Sequence, residues 1–164
     1  MSIAKFLHVS EGQYTASALS ETLPLSEIPM PKRATAGSAG YDFICPADIT
    51  LQPGEAVTIP TGIRCEMQPG WVLMLFPRSG LGFKHQVRLA NTVGVIDADY
   101  FHAANEGHIM VRIANGQSPC TMDSHAVTLR KGERFCQGIF LPHGLAEEDA
   151  VLTDREGGFG STGK

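Results

Sequence analysis

From Gly40 to Leu141 the chain is broken so often by turn residues that no long helix can form there, and this constrains the fold more than any other feature. LQPGE, MQPGW and RKGER supply Pro-Gly and Lys-Gly turns between short apolar runs. The runs are YDFIC, EAVTIP, GIRCEM, WVLMLF, HIMVRIAN, HAVTLR and RFCQGIFL. In HIMVRI, Ile109, Val111 and Ile113 share one face while His108, Met110 and Arg112 share the other, the period of a half-buried strand. WVLMLF is apolar on both faces and is expected as a central, fully covered strand. Many short strands with little helix predict an all-β sandwich, jelly roll or small barrel. One helix is expected near the start, where Ser10 and Gln13 form a capping box ahead of QYTASALSE. The Pro-punctuated PLSEIPMPKR then connects it to the body.

At 164 residues a single domain with a sizeable core is expected. The net charge of −4 argues against a nucleic-acid or membrane-surface binder, which needs a basic face. A small anionic ligand is still allowed if a few Arg residues and a metal are placed locally. Cys45, Cys65, Cys120 and Cys136 show no zinc or disulfide spacing, so reduced thiols are expected. MSIAKFLHVSEGQ lacks the apolar stretch of a signal peptide, and no segment approaches membrane-spanning length. These features predict a soluble, cytoplasmic protein.

Five stretches are candidates for chemistry. In SAGYDF, Asp42 sits just inside a strand after a small-residue turn, where it is a turn cap or a site carboxylate. In PRSGLGFKH, Pro77 ends the buried strand and Arg78, Ser79 and Gly80 stand at its mouth. A guanidinium, a hydroxyl and a glycine that exposes backbone N–H groups suit phosphate oxygens, although a polar strand-end turn has the same composition. In LANTVGVIDADY, Val93, Val95 and Ile96 lead to Asp97, placed either as a general base facing a cleft or as a turn carboxylate. In GERFCQGIF, Gln137 interrupts an apolar strand as an outward-facing residue or a ligand contact. The end of the chain reads G-x-x-x-x-G-K from Gly158 to Lys164, but a P-loop needs a preceding buried strand, a following Ser or Thr and a helix, and none is expected here.

In order and approximate spacing, AGYDF, PRSGLGFK, NTVGVIDADY, RFCQGIF and REGGFGSTGK resemble the five motifs of the trimeric dUTPase family, over roughly Pro31 to Lys164. The resemblance implies a jelly-roll-like β-barrel over residues 31–150, an N-terminal extension with a short helix over 1–30, and a mobile C-terminal arm over 151–164. It implies a homotrimer whose three sites lie between subunits, the arm of one closing a site built by the other two. The implied reaction is Mg²⁺-assisted attack of water on the α-phosphorus of dUTP, giving dUMP and pyrophosphate. That reaction keeps uracil out of DNA and supplies dUMP for thymidylate synthesis.

Carried over by motif, Asp97 matches the general base and Tyr100 the ring that packs under the deoxyribose. Asn91, Gly94, Ile96 and Met110 match the hairpin that reads uracil. Arg78, Ser79, Gly80 and Gln137 match phosphate contacts, and Asp42 the carboxylate that reaches Mg²⁺ through water. In the arm, Arg155, Gly160 and Ser161 match phosphate contacts and Phe159 the ring that stacks on uracil.

Two departures stand out. FHAANE intervenes between Tyr100 and Gly107, a longer loop that resembles a variant of some bacterial and phage members. The first thirty or so residues exceed the compact family form and are expected on the surface or at the trimer edge. A dCTP deaminase would share the fold, but no carboxylate besides the GVIDADY pair matches its water-activating glutamate. A non-catalytic nucleotide-binding protein would have reason to lose Asp97, Ser79 or Arg155, and all three are present.

Overall fold

The short runs become strands in a computed structural model that describes residues 2–120 and 122–148. In chain order the strands are β1 (Ala4–His8), β2 (Lys32–Arg33), β3 (Tyr41–Ile44), β4 (Ile49–Leu51), β5 (Ala56–Pro60) and β6 (Ile63–Met67). They continue with β7 (Trp71–Pro77), β8 (Val87–Leu89), β9 (Gly94–Ile96), β10 (Met110–Asn115), β11 (Val127–Leu129) and β12 (Arg134–Pro142). The helices are α1 (Glu11–Ser17) and α2 (Ser79–His85), with 3₁₀ turns at Leu25–Glu27 and Ala98–His102.

The pairings are antiparallel and fall into four sheets. The largest has the order β2-β3-β12-β7-β9, and the others are β5-β10-β8, β1-β6 and β11-β4. Among the described residues these sheets do not close into one continuous barrel. Their inner faces share one core in which Phe43, Phe135, Ile59, Leu73, Leu75 and Ile113 are almost fully buried. β10 shows the expected alternation, with Val111 and Ile113 buried and Arg112 exposed. Ile109 and His108, just ahead of that strand, are both 0% exposed, so His108 departs from the polar face on which it was expected.

β7 is an interior strand rather than the central one, lying between β12 and the edge strand β9, and it buries Leu73 and Leu75. Val72, Met74 and Phe76 on its other face remain half-buried, so a single chain covers this strand on one side only. The N-terminal segment also differs from expectation. It opens with β1, which pairs with β6 over five residues, and Val9, Tyr14, Leu25 and Ile28 enter the core. It is thus a shared wall of the domain rather than an appendage. Among the described residues no helix is long and apolar enough to cross a membrane. Burial pushes the thiols of Cys45 and Cys65 up to about 11 and about 12, which keeps them unreactive.

His108 shows how a polar ring survives in this core. Its Nε2 accepts from the Gly62 N–H at 2.9 Å, which leaves the proton on Nδ1 to face Ser17 Oγ at 3.3 Å. Burial holds its pKa down at about 4, against an opposing pull from Glu106. The folded chain therefore keeps the ring neutral at pH values where the unfolded chain protonates it. The resulting stability, ~3 kcal/mol at most, is complete above pH 6.5 and is lost as pH falls toward 4. The thermal midpoint should fall through that window, and His108→Gln should flatten the fall; an unchanged slope in the variant would contradict the assignment.

Candidate active site

The candidate residues divide between the two ends of β7. At its C-terminal end the strand delivers Arg78, and Ser79 and Gly80 open α2 in exposed positions. β12 pairs with β7 on one side and β3 on the other, placing Gln137 opposite both Phe76 and Asp42. Three stretches far apart in sequence therefore meet at one sheet end. The Asp42 side chain is only 8% exposed, with Oδ1 3.3 Å from Arg78 Nε and Oδ2 3.1 Å from Arg134 Nη1. Both guanidiniums are partly solvated, so these ion pairs contribute at most ~1 kcal/mol each. Their effect is on orientation: Asp42 aims Arg78 while a third of that side chain stays exposed. The Gln137 carboxamide runs across Gly40, where any Cβ would collide with it.

Beside β7, where Leu75 pairs with Gly94 of β9, is a cavity. The turn expected as part of a hairpin lies between β8 and β9, but those strands do not pair with each other. β8 joins β10 and β9 joins β7, so the two diverge into different sheets. The gap between them is a cavity of about 520 Å³, within the range of small-molecule sites. Asn91, Gly94, Ile96, Tyr100 and Met110 all line it. At its turn Thr92 holds a φ of 68°, an unusual left-handed conformation for a β-branched residue. The turn is tied by Thr92 N–H to Leu89 O at 3.0 Å and Val93 N–H to Asn91 O at 2.7 Å.

Asp97 follows Ile96 directly and is half-exposed at the head of the 98–102 turn. Tyr100 is 5% exposed, and its hydroxyl donates to His108 O at 2.9 Å and accepts from Asn105 Nδ2 at 2.8 Å. The tyrosine ring is thereby a fixed wall of the cavity.

The register sets the separation of the two groups. Ile96 lies opposite Leu73, and β9 runs antiparallel, so Asp97 lies beyond Leu73 on the side away from Arg78. At ~3.3 Å per residue, the five steps from Leu73 to Arg78 already span roughly 16 Å. Within one chain, Asp97 and the Arg78–Gln137 group stand at opposite ends of a strand.

Arg155, Phe159, Gly160 and Ser161 lie outside the described residues. Sequence reasoning missed Arg134, which shares Asp42, and Arg112, which lines the cavity. The alternation of HIMVRI put Arg112 on the same face as Met110, a signal that was available. Among the described residues no three His, Cys, Asp or Glu side chains gather into a metal-holding cluster.

Comparison with known proteins bears on this geometry. The sequence model of the dUTPase family matches residues 26–163. The deoxyuridine 5'-triphosphate nucleotidohydrolase of Lactococcus lactis is 42% identical over 139 residues, covering 83% of this chain and 89% of the relative. The crystal structure of dUTPase from Streptococcus mutans superposes with a TM-score of 0.65 at 37% identity, covering 87% of this chain and 98% of its own. A mutant dUTPase from phage phi11 of S. aureus, described with a structural Mg(II) ion, is similar in fold, with a TM-score of 0.66 at 20% identity. It covers 93% of this chain and 98% of its own. The four sheets are thus a jelly-roll-like arrangement.

Asp42→Asn should leave Arg78 and Arg134 without their shared counter-charge. Because the ion pairs are solvated, the melting temperature should move by only a few degrees while turnover falls at least about tenfold. Normal turnover in the variant would show that Asp42 does not orient this end of the site.

Proposed function

This chain belongs to the dUTPase family and hydrolyses dUTP to dUMP and pyrophosphate; we propose that it does so in sites shared between copies of the chain. The observation that carries the proposal is the separation along β7. Water activated by Asp97 must attack the same α-phosphorus that Ser79 and Gln137 hold, yet one chain sets these groups at opposite ends of a strand. A second copy resolves this by bringing its phosphate end to the first copy's cavity. The half-covered face of β7 supports such an assembly, and a cyclic trimer closes it with three equivalent sites. By resemblance, Arg155, Phe159, Gly160 and Ser161 of a third copy complete each site.

In the site, the cavity takes deoxyuridine. Backbone groups around Asn91, Gly94, Ile96 and Met110 read the N3–H and O4 of uracil, and cytosine presents the reversed donor and acceptor pattern. The cavity wall rejects the 5-methyl group of thymine. The Tyr100 ring, held by its hydroxyl, packs under the deoxyribose and leaves no room for a 2′-hydroxyl. Arg78, aimed by Asp42, and Ser79, Gly80 and Gln137 bind the phosphate chain and oppose its charge in an otherwise acidic protein.

Asp97 orients a water for in-line attack on the α-phosphorus and takes its proton. The P–O bond to the β-phosphate breaks, and pyrophosphate leaves. A carboxylate is a modest base, so most of the rate comes from position and charge neutralisation. Mg²⁺ held mainly by the triphosphate supplies further neutralisation when bound. Asp42, the carboxylate at the phosphate end, would reach such an ion through water, since both its oxygens are engaged by guanidiniums and leave no place for direct coordination. The reaction is assigned to the cytoplasm, where the nucleotide pool lies.

Incubation with Mg²⁺ and, separately, dUTP, dCTP, dTTP and UTP should yield dUMP and pyrophosphate from dUTP alone. Deamination of dCTP instead would overturn the reading. Asp97→Asn should lower kcat by about 10²–10⁴-fold with dUTP affinity nearly unchanged. Full turnover in that variant would remove Asp97 from the role of base.

A further inference from the structure

The dUTPase family match begins at residue 26, so β1 and α1 lie ahead of it, and the hydrolysis described above gives them no task. The longer loop after Tyr100 has none either. The two meet. Glu106 accepts two hydrogen bonds from Ser10, Oε2 from the backbone N–H at 2.8 Å and Oε1 from Oγ at 2.7 Å. Those bonds hold the Glu106 carboxyl below the usual carboxylate range. Ser10 Oγ in turn accepts from the Gln13 N–H at 3.1 Å and so caps α1. Glu106 thus fills the reciprocal half of a capping box, a place that Gln13 was expected to take.

The far end of α1 grips the same loop. Ser17, its last residue, faces the Nδ1 of His108 at 3.3 Å, and its own hydroxyl is anchored on Gln13 O and Tyr14 O. Between these two grips the chain doubles back sharply. Glu106 and Gly107 have φ of 60° and 68°, and a Cβ on Gly107 would lie 2.6 Å from Tyr100 O. That reversal brings His108 O and Asn105 to the Tyr100 hydroxyl. Arg64 of β6 pins the start of the loop, donating to Phe101 O at 2.6 Å with its guanidinium 3.7 Å over the Phe101 ring.

Two partners of the Tyr100 hydroxyl, His108 O and Asn105 Nδ2, therefore lie on a segment whose position α1 fixes from either end. We propose that α1 is a positioning element for the nucleotide site: its Ser10–Glu106 and Ser17–His108 contacts hold the Tyr100 wall at the depth that admits a deoxyribose and excludes a ribose. This rests on the cavity being the deoxynucleoside pocket. Ser10 and Glu106 touch no substrate. They act on sugar selection through Tyr100, with little effect on the Asp97 chemistry.

The test uses the full chain with Glu106→Gln, Ser10→Ala and Ser10→Thr, well below their melting temperatures. Steady-state kinetics with dUTP and UTP would be paired with hydrogen exchange of residues 100–109 in the unliganded protein. Glu106→Gln keeps the shape but its amide nitrogen cannot accept, and Ser10→Ala removes the capping hydroxyl. Each should raise KM for dUTP and narrow the dUTP-to-UTP preference by up to about tenfold, with kcat within about threefold. Exchange at 100–109 should quicken in both, and Ser10→Thr, which keeps the hydroxyl, should restore the parent values. Faster exchange or a lower melting temperature with unchanged KM and sugar preference would leave α1 purely structural and overturn the proposal. A parent protein that does not prefer dUTP over UTP would instead overturn the reading of the cavity, and the positioning role with it.

Discussion

The register of β7 against its two neighbours is the constraint on which the site depends. One side of the strand pairs with β12, which sets Gln137 beside Asp42 and next to the exit toward Arg78. The other side pairs with β9, which sets Gly94 against Leu75 and sends Asp97 out at the far end. Because side chains alternate along a strand, a one-residue slip on either side would turn Leu73 and Leu75 out of the core and dismantle both groups together. A hydrophobic strand with no chemistry of its own thus positions Arg78 and Gln137 at one end and Asp97 at the other.

The Arg78 end, proposed above to bind the phosphate chain, addresses an electrostatic problem. A protein of net charge −4 that takes a highly charged anion must concentrate positive charge locally and keep it aimed. Asp42 accomplishes the aiming. Its nearly buried carboxylate faces Arg78 and Arg134, so two flexible cations share one anchor and their excess charge points outward. The energy of such partly solvated pairs is small, and preorganisation is their contribution. At the base end the logic is steric, since the cavity exists because β8 and β9 part into different sheets.

Much of this was legible from residue types. The Pro-Gly turns and the alternation in HIMVRI predict β10 and its neighbours, and the Ser10 cap predicts α1. Asn91, Gly94, Ile96, Tyr100 and Met110, singled out by resemblance, line one cavity. What stayed hidden depends on long-range pairing. AKFLH has too few residues to declare itself a strand without β6 opposite it. His108 sits in polar alternation, and only the approach of α1 and Gly62 shows why a buried ring is tolerated there. SGLGFKH carries two glycines, poor helix formers, yet forms α2 because tertiary context overrides propensity. Glu106 reads as an ordinary loop carboxylate until its partner 96 positions away is known.

The central claim is that the base end of one copy and the phosphate end of another make a single site. Mixing chains carrying Asp97→Asn with chains carrying Ser79→Ala, after unfolding and joint refolding, tests it directly. Each variant alone should be nearly inactive. Random assembly places an intact Asp97 beside an intact Ser79 in about a quarter of the shared sites, so the mixture should recover about a quarter of parental dUTP turnover. A mixture no more active than the two variants kept apart would mean that each chain supplies both ends of its own site, and the account would fail.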